Sequence, residues 1–302
     1  MFSNEERMIY AKRQLVEVIC QLRFPEILSI DASEPAAFQD RIRREYPQYE
    51  KKIEQLPPQM VNGKPVPQGT VNNYQFVSAE GQWKISLTKG FIALSTYGYT
   101  RWEEFAQRLD RILAVFIETY HPSWFTRVGL RYVNAFRREA LGLDGMLWKE
   151  LITPGFLGLM GEEDAQETAF LKHELSATFQ VPGGAKANVK SGPGLLRKVN
   201  NRTRETTEER VFMLDLDLYM DSKIELNHTA PALNIVHDNA GSLFKDLSSA
   251  LRLIADNLRD LALPDDGISV DTDTGIHDQF FNIAQSALIV IDQIFTFPGA
   301  VH

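Results

Sequence analysis

Apolar positions along the chain switch between two periods, and each switch marks an element. Residues 15–24 (LVEVICQLRF) form an apolar, β-branched run that predicts a buried strand, closed by Pro25. Phe38, Ile42 and Tyr46 recur every four residues, predicting a short helix over 36–46 that stops at Pro47. Residues 55–70 are rich in proline and glycine and predict an exposed loop. Three strands are expected next, at 74–78, 82–88 and 91–96, the first two joined by a turn at Glu80-Gly81. In the middle one Trp83, Ile85 and Leu87 alternate with Lys84, Ser86 and Thr88, which buries one face and wets the other. The pattern then lengthens to 3.6. Trp102, Phe105, Leu109, Ile112, Leu113, Phe116 and Ile117 make one stripe of a helix over 101–120. Thr100 and Glu103 have the spacing of a capping box at its start, and His121-Pro122 end it.

The second half reads in a similar order. Residues 125–136 (FTRVGLRYVNAF) predict a strand, 146–152 a short helix and 170–181 another strand. Pro182-Gly183-Gly184 predicts a turn, with 185–190 returning as a hairpin partner and 210–220 as a long strand. A helix is expected over 236–261, through Leu243, Leu247, Ala250, Leu251, Ile254 and Leu258. A last strand at 268–271 and a helix at 278–294 complete the prediction. The fold class implied is α+β: an antiparallel sheet with long helices packed on one face. Both halves follow a β-α-βββ-α order, so two related units are expected, at 1–122 and 123–302. The second carries the C-terminal helix, and the two together form one continuous body.

Composition narrows the function. The chain has 302 residues and a net charge of -8, which argues against broad nonspecific binding to nucleic acid. Cys20 is the single cysteine, so no intramolecular disulfide can form; its place in an apolar strand makes it an inert buried thiol. The N-terminal residues are charged and lack a signal core, and no apolar run approaches the roughly 20 residues that span a bilayer. A cytoplasmic protein without membrane contact is expected.

Three stretches resemble a sporadically distributed bacterial family of uncharacterised proteins. They are VEVICQLRFP near the start, Trp102 and Phe105 opening the long helix, and RVGLRYVN at residues 127–134. The family is marked by a VEVxCQLRFP-like first strand and an RxGLRYxN strand, and Leu214-Asp215-Leu216-Asp217 also fits it. The resemblance runs from about Leu15 to about Asp260. It implies no reaction, cofactor or catalytic residue. The family's patchy distribution resembles that of genes in mobile defence and toxin-antitoxin loci. The C-terminal IFTFPGAVH departs from the ending such a family would show.

Three groups of residues have chemistry to offer. Arg127 and Arg131 are four apart on one strand, hence on one face, with Asn134 close in sequence and Arg23 nearby if the two motif strands pair. Guanidiniums so placed can clamp a phosphate or carboxylate, or can pair across the sheet with Asp215, Asp217 or Glu17. Ion pairing ranks first, because exposed sheet faces commonly carry opposite charges. Asp215 and Asp217 also alternate with leucines and are weak candidates for a metal. The basic stretch 186–210 holds Lys186, Lys190, Arg197, Lys198, Arg202 and Arg204, and reads as a mobile loop that can meet a partner or nucleic acid. The histidines are scattered without HxH or HExxH spacing, and the glycines match no phosphate-binding loop. No cofactor and no catalytic residue is therefore expected. The leading reading is a non-enzymatic binding or interaction protein, with another protein as partner and homo-oligomers possible. One alternative is a nucleic-acid-binding or metal-dependent protein using 186–210. Another is a sensor holding a small anion on Arg127 and Arg131.

Overall fold

Nine strands hydrogen-bond into a single antiparallel sheet in the computed structural model, which describes residues 14–55, 59–61, 64–66, 69–199 and 206–247. In chain order the elements are β1 (Leu15–Arg23), α1 (Ser29–Ala32), α2 (Ala36–Ile42), β2 (Gln48–Gln55), β3 (Gln59–Val61), β4 (Lys64–Val66), β5 (Thr70–Val77), β6 (Trp83–Leu87), β7 (Phe91–Thr96) and α3 (Trp102–Tyr120). The chain continues with β8 (Arg127–Phe136), α4 (Arg138–Leu141), α5 (Trp148–Leu151), β9 (Leu175–Gln180), β10 (Lys186–Val199), β11 (Thr206–Met220) and α6 (Thr229–Leu247). Across the sheet the order is β2-β5-β6-β7-β1-β8-β11-β10-β9, with β3 and β4 a separate hairpin. Strands β1 and β8 lie side by side at its centre, Ile19 opposite Arg131 and Arg23 opposite Arg127.

Strand alternation sends one set of side chains under the helices. Val18, Cys20 and Leu22 of β1, Val128, Leu130, Tyr132 and Phe136 of β8, and Leu214, Leu216 and Leu218 of β11 are all buried in the same core. From above, α3 contributes Phe105, Leu109, Ile112 and Phe116, and α6 contributes Leu233, Val236, Ala240 and Leu243. Aromatic pairs fix α3 to the sheet: Phe116 stands 4.9 Å from Phe24, and Phe105 5.8 Å from Trp83. At the other helix His237 stacks on Trp102 at 4.3 Å and meets the Tyr132 hydroxyl through Nδ1 at 2.8 Å, so α6, α3 and β8 join at one point. No helix among the described residues is long and apolar enough to cross a membrane.

Several elements differ from the sequence reading. Residues 48–55 form an edge strand, β2, although its mostly exposed EKKIEQ pattern lacks a strand-like apolar face. The supposed loop 55–70 contains the β3–β4 hairpin. The helix predicted from 236 starts at Thr229, because Pro231 falls in its first turn, where no hydrogen-bonded N–H is needed. Thr100 does not cap α3: Arg101 takes the extended N-cap position without a side-chain bond, and the Thr100 hydroxyl donates to Glu104 instead. The largest difference is at 186–210, expected as a loop. Its described residues lie in β10 and β11, paired in unbroken register from Lys186↔Tyr219 to Val199↔Thr206. The predicted 268–271 strand, the 278–294 helix and the helical residues 248–261 lie outside the described residues.

Candidate functional site

The sheet face turned away from α3 and α6 is polar, and its charges are arranged in diagonal pairs. Arg127 Nη2 donates to both oxygens of Asp217, at 2.7 and 2.9 Å. Arg131 forms a fork on Asp215, Nε to Oδ1 at 2.7 Å and Nη2 to Oδ2 at 2.6 Å. In the β8–β11 register Arg131 stands directly opposite Asp217 and Gly129 opposite Tyr219, so Arg131 reaches two residues along β11 to Asp215, while Arg127 reaches back past Tyr219 to Asp217. Burial alone would pull the Arg131 guanidinium down; the Asp215 carboxylate more than offsets it and holds the group above its ordinary value. Arg127 folds back over its own strand. Its Cζ lies 4.5 Å from the Tyr219 ring, and a Cβ at Gly129 would stand 2.1 Å from its Nη1, so any side chain at 129 would displace the guanidinium.

The other sequence candidates are distributed differently. Arg23 is exposed at the end of β1, with Nε on Gln21 Oε1 at 2.9 Å; burial of its stem and the adjacent Arg127 charge lower it, against Asp217. Asn134 has the opposite parity from the arginines and is buried beside the Leu214 carbonyl at 3.4 Å, so it belongs to the core face and not to an anion clamp. Asp215 and Asp217 are each engaged by an arginine, and no group of three or more metal-holding side chains occurs among the described residues. Lys186 pairs with Asp221 at 2.8 Å on the surface, whereas Lys190 sits opposite Asp215 on the polar face. Arg197 and Lys198 lie on the far half of β10 opposite Glu208 and Thr207, and Arg202 and Arg204 fall outside the described residues. Cys20 is fully buried on the core face, and burial pushes its thiol well above the ordinary range.

Over this polar face lies a cavity of about 880 Å³. Its floor is apolar at Ile19, Phe91, Ala93, Val133, Val211 and Met213. Asn73, Lys84, Ser86 and Ser95 add polar lining from strands β5, β6 and β7, Lys84 opposite Ser95 and Asn73 further along, near the level of Phe91. Residues 167, 168 and 170–174 line the opposite end. Hydrogen bonds at Glu167 and His173 tie this segment down. Glu167 accepts from the Trp148 N–H and from Arg138 Nη1, the latter at 3.1 Å. The His173 ring meets the Leu157 carbonyl at 2.7 Å. The His173 carbonyl passes so close to β10 that a Cβ at Gly192 would lie 2.5 Å from it. Gly192 was read as a loop residue, yet its role is to let one backbone approach another.

Two polar atoms at the cavity are unusual. Ser95 is 5% exposed and Asn73 4% exposed, and Ser95 Oγ and Asn73 Oδ1 have no hydrogen-bond partner among the described residues. The Asn73 amide nitrogen donates to Glu54 Oε1 at 2.6 Å, which fixes its carbonyl oxygen as the open acceptor. An unsatisfied buried polar atom costs about 1–3 kcal/mol, so two at one cavity call for an explanation. Sequence alternation had placed Lys84 and Ser86 on a wet face, but nothing local indicated that Asn73 and Ser95 would join them there. No protein-family model matches this chain, and no curated protein matches it significantly. Its own geometry is therefore the guide to what the site does.

Proposed function

We propose that this is a non-enzymatic binding protein that holds a ligand, or a segment of a partner protein, in the cavity over the open face of its sheet. The observation that carries this reading is the pair of buried, unpartnered atoms, Ser95 Oγ and Asn73 Oδ1, at a cavity of about 880 Å³. That volume lies within the range of about 300–1,000 Å³ found for ligand sites. Side chains suited to acid–base work nearby are already engaged: Asp215 with Arg131, Glu167 with Arg138, His173 with a carbonyl. Such an arrangement favours holding over reaction.

The test fills the floor. Ala93 is 7% exposed and lines the cavity on β7, between Ser86 of β6 and Gln21 of β1. Full-length protein from its native host is analysed by native mass spectrometry and partner capture, alongside Ala93→Trp. Wild type is expected to retain a bound species that Ala93→Trp, with unchanged circular dichroism, loses. Identical species on both proteins, or none on wild type, would reject the reading.

The same proposal covers the ancestry of the fold. Starting from the central β1–β8 pair, the sheet runs outward as β7-β6-β5 on one side and β11-β10-β9 on the other, with α3 after β7 and α6 after β11. This order supports two related β-α-βββ-α halves with long helices in equivalent places, β2 being an addition to the first. Membership of the bacterial family marked by the RxGLRYxN strand is likewise a proposal, resting on the motifs of β1 and β8.

A further inference from the structure

We infer that the cavity selects a mononucleotide-like ligand: a phosphate-bearing small molecule with a flat ring and N–H or O–H donors. The inference rests on the binding reading above and adds the chemistry. Charge is the first argument. Arg131, Arg138 and Asp215 at the cavity are committed to ion pairs, whereas Lys84 forms none among the described residues. Lys84 stands directly opposite Ser95 on the neighbouring strand, so its ammonium and the unpartnered Ser95 Oγ serve the same end of the site. An anion placed there meets a cation that needs no partner displaced. A phosphate oxygen also accepts a hydrogen bond from the Ser95 hydroxyl.

Polarity is the second argument. Asn73 Oδ1 is an acceptor only, so the group that satisfies it must donate; a second carboxylate or phosphate is excluded at that point, and an amine, amide or hydroxyl is required. Shape is the third. From Ser95 the floor runs along β7 through Ala93 to the half-buried Phe91, near the level of Asn73, an apolar strip on which a planar ring can lie between the anion and the Asn73 carbonyl. Anion, donor and flat apolar body together describe a nucleoside monophosphate. They exclude an uncharged nucleoside and a bare inorganic anion as full occupants.

Isothermal titration of the full chain with adenosine monophosphate, adenosine and inorganic phosphate tests this. Adenosine monophosphate is expected to bind at least ten times more tightly than either fragment. Lys84→Ala should weaken it at least tenfold and Asn73→Leu at least several-fold. Lys64→Ala removes the same charge from the exposed β4 hairpin, away from the cavity, and should change nothing. The inference is overturned if adenosine monophosphate shows no binding at millimolar concentration, if adenosine matches it, or if Lys84→Ala and Lys64→Ala behave alike. Should it fail while Ala93→Trp still strips a species from the native protein, the cavity binds something of another class. If both fail, the site reading itself is wrong.

Discussion

The contact between Gly129 and Arg127 shows how one missing side chain supports a charge pair. The guanidinium lies where a Cβ of residue 129 would stand, and from there it reaches both oxygens of Asp217. Gly129→Ala is therefore expected to cost about 1–3 kcal/mol, the worth of charge-assisted hydrogen bonds in a half-buried place. In an Arg127→Ala background the same change should fall below about 0.5 kcal/mol, because nothing remains to displace. Urea denaturation of the four proteins of that cycle measures both values, and additive effects would show that the crowding does not matter. The pairing itself was legible in the sequence, since Arg127, Arg131, Asp215 and Asp217 all sit on alternating strands of opposite sign. The glycine's purpose was not, because it depends on where a flexible arginine folds. Nor could the sequence show that Asn73 and Ser95, twenty-two positions apart, would share one cavity.

Helix α3 ends on a strained residue. His121 has φ 50°, in the left-handed region, and its N–H closes the helix on the Ile117 carbonyl at 2.9 Å. A side chain in that region costs about 1–2 kcal/mol that glycine does not incur, part of which glycine returns through its freer unfolded chain. His121→Gly is expected to stabilise the protein by about 0.5–1 kcal/mol, read as a raised melting temperature, while His121→Val should lower it. A fall on glycine substitution would mean that the imidazole makes a contact worth more than the strain. The helix was legible to within a residue, because a 19-residue amphipathic stripe leaves one periodicity standing. Strand β10 was legible only at its start, where 185–190 was expected to return as a hairpin partner; the rest read as a loop, yet Pro193 lies beyond the end of β9 pairing, where one side of β10 is already an edge and a missing N–H is tolerated.

At the scale of the molecule, buried hydroxyls tie stability to pH. Burial, then the nearby Asp31 charge, pushes the Tyr74 hydroxyl up to about 12; burial, then Tyr74, does the same for Tyr120. Both folded values lie above the unfolded one near 10, so the fold favours the neutral phenols. Their contribution is complete below about pH 10 and is lost as pH rises from there toward about 12. Unfolding free energy followed by urea titration across that interval should fall, and Tyr74→Phe should flatten the fall. An equal slope in the variant would assign alkaline loss to other groups. The order of the strands carries one more consequence. On the growing polypeptide β1 emerges before both of its neighbours, β7 and β8, the latter arriving roughly a hundred residues later. Until then the ribosome presents an apolar ribbon whose amides on that side have nothing to grip. Synthesis itself must shelter this seam, and a pause before residue 136 prolongs the window in which nascent chains adhere to one another.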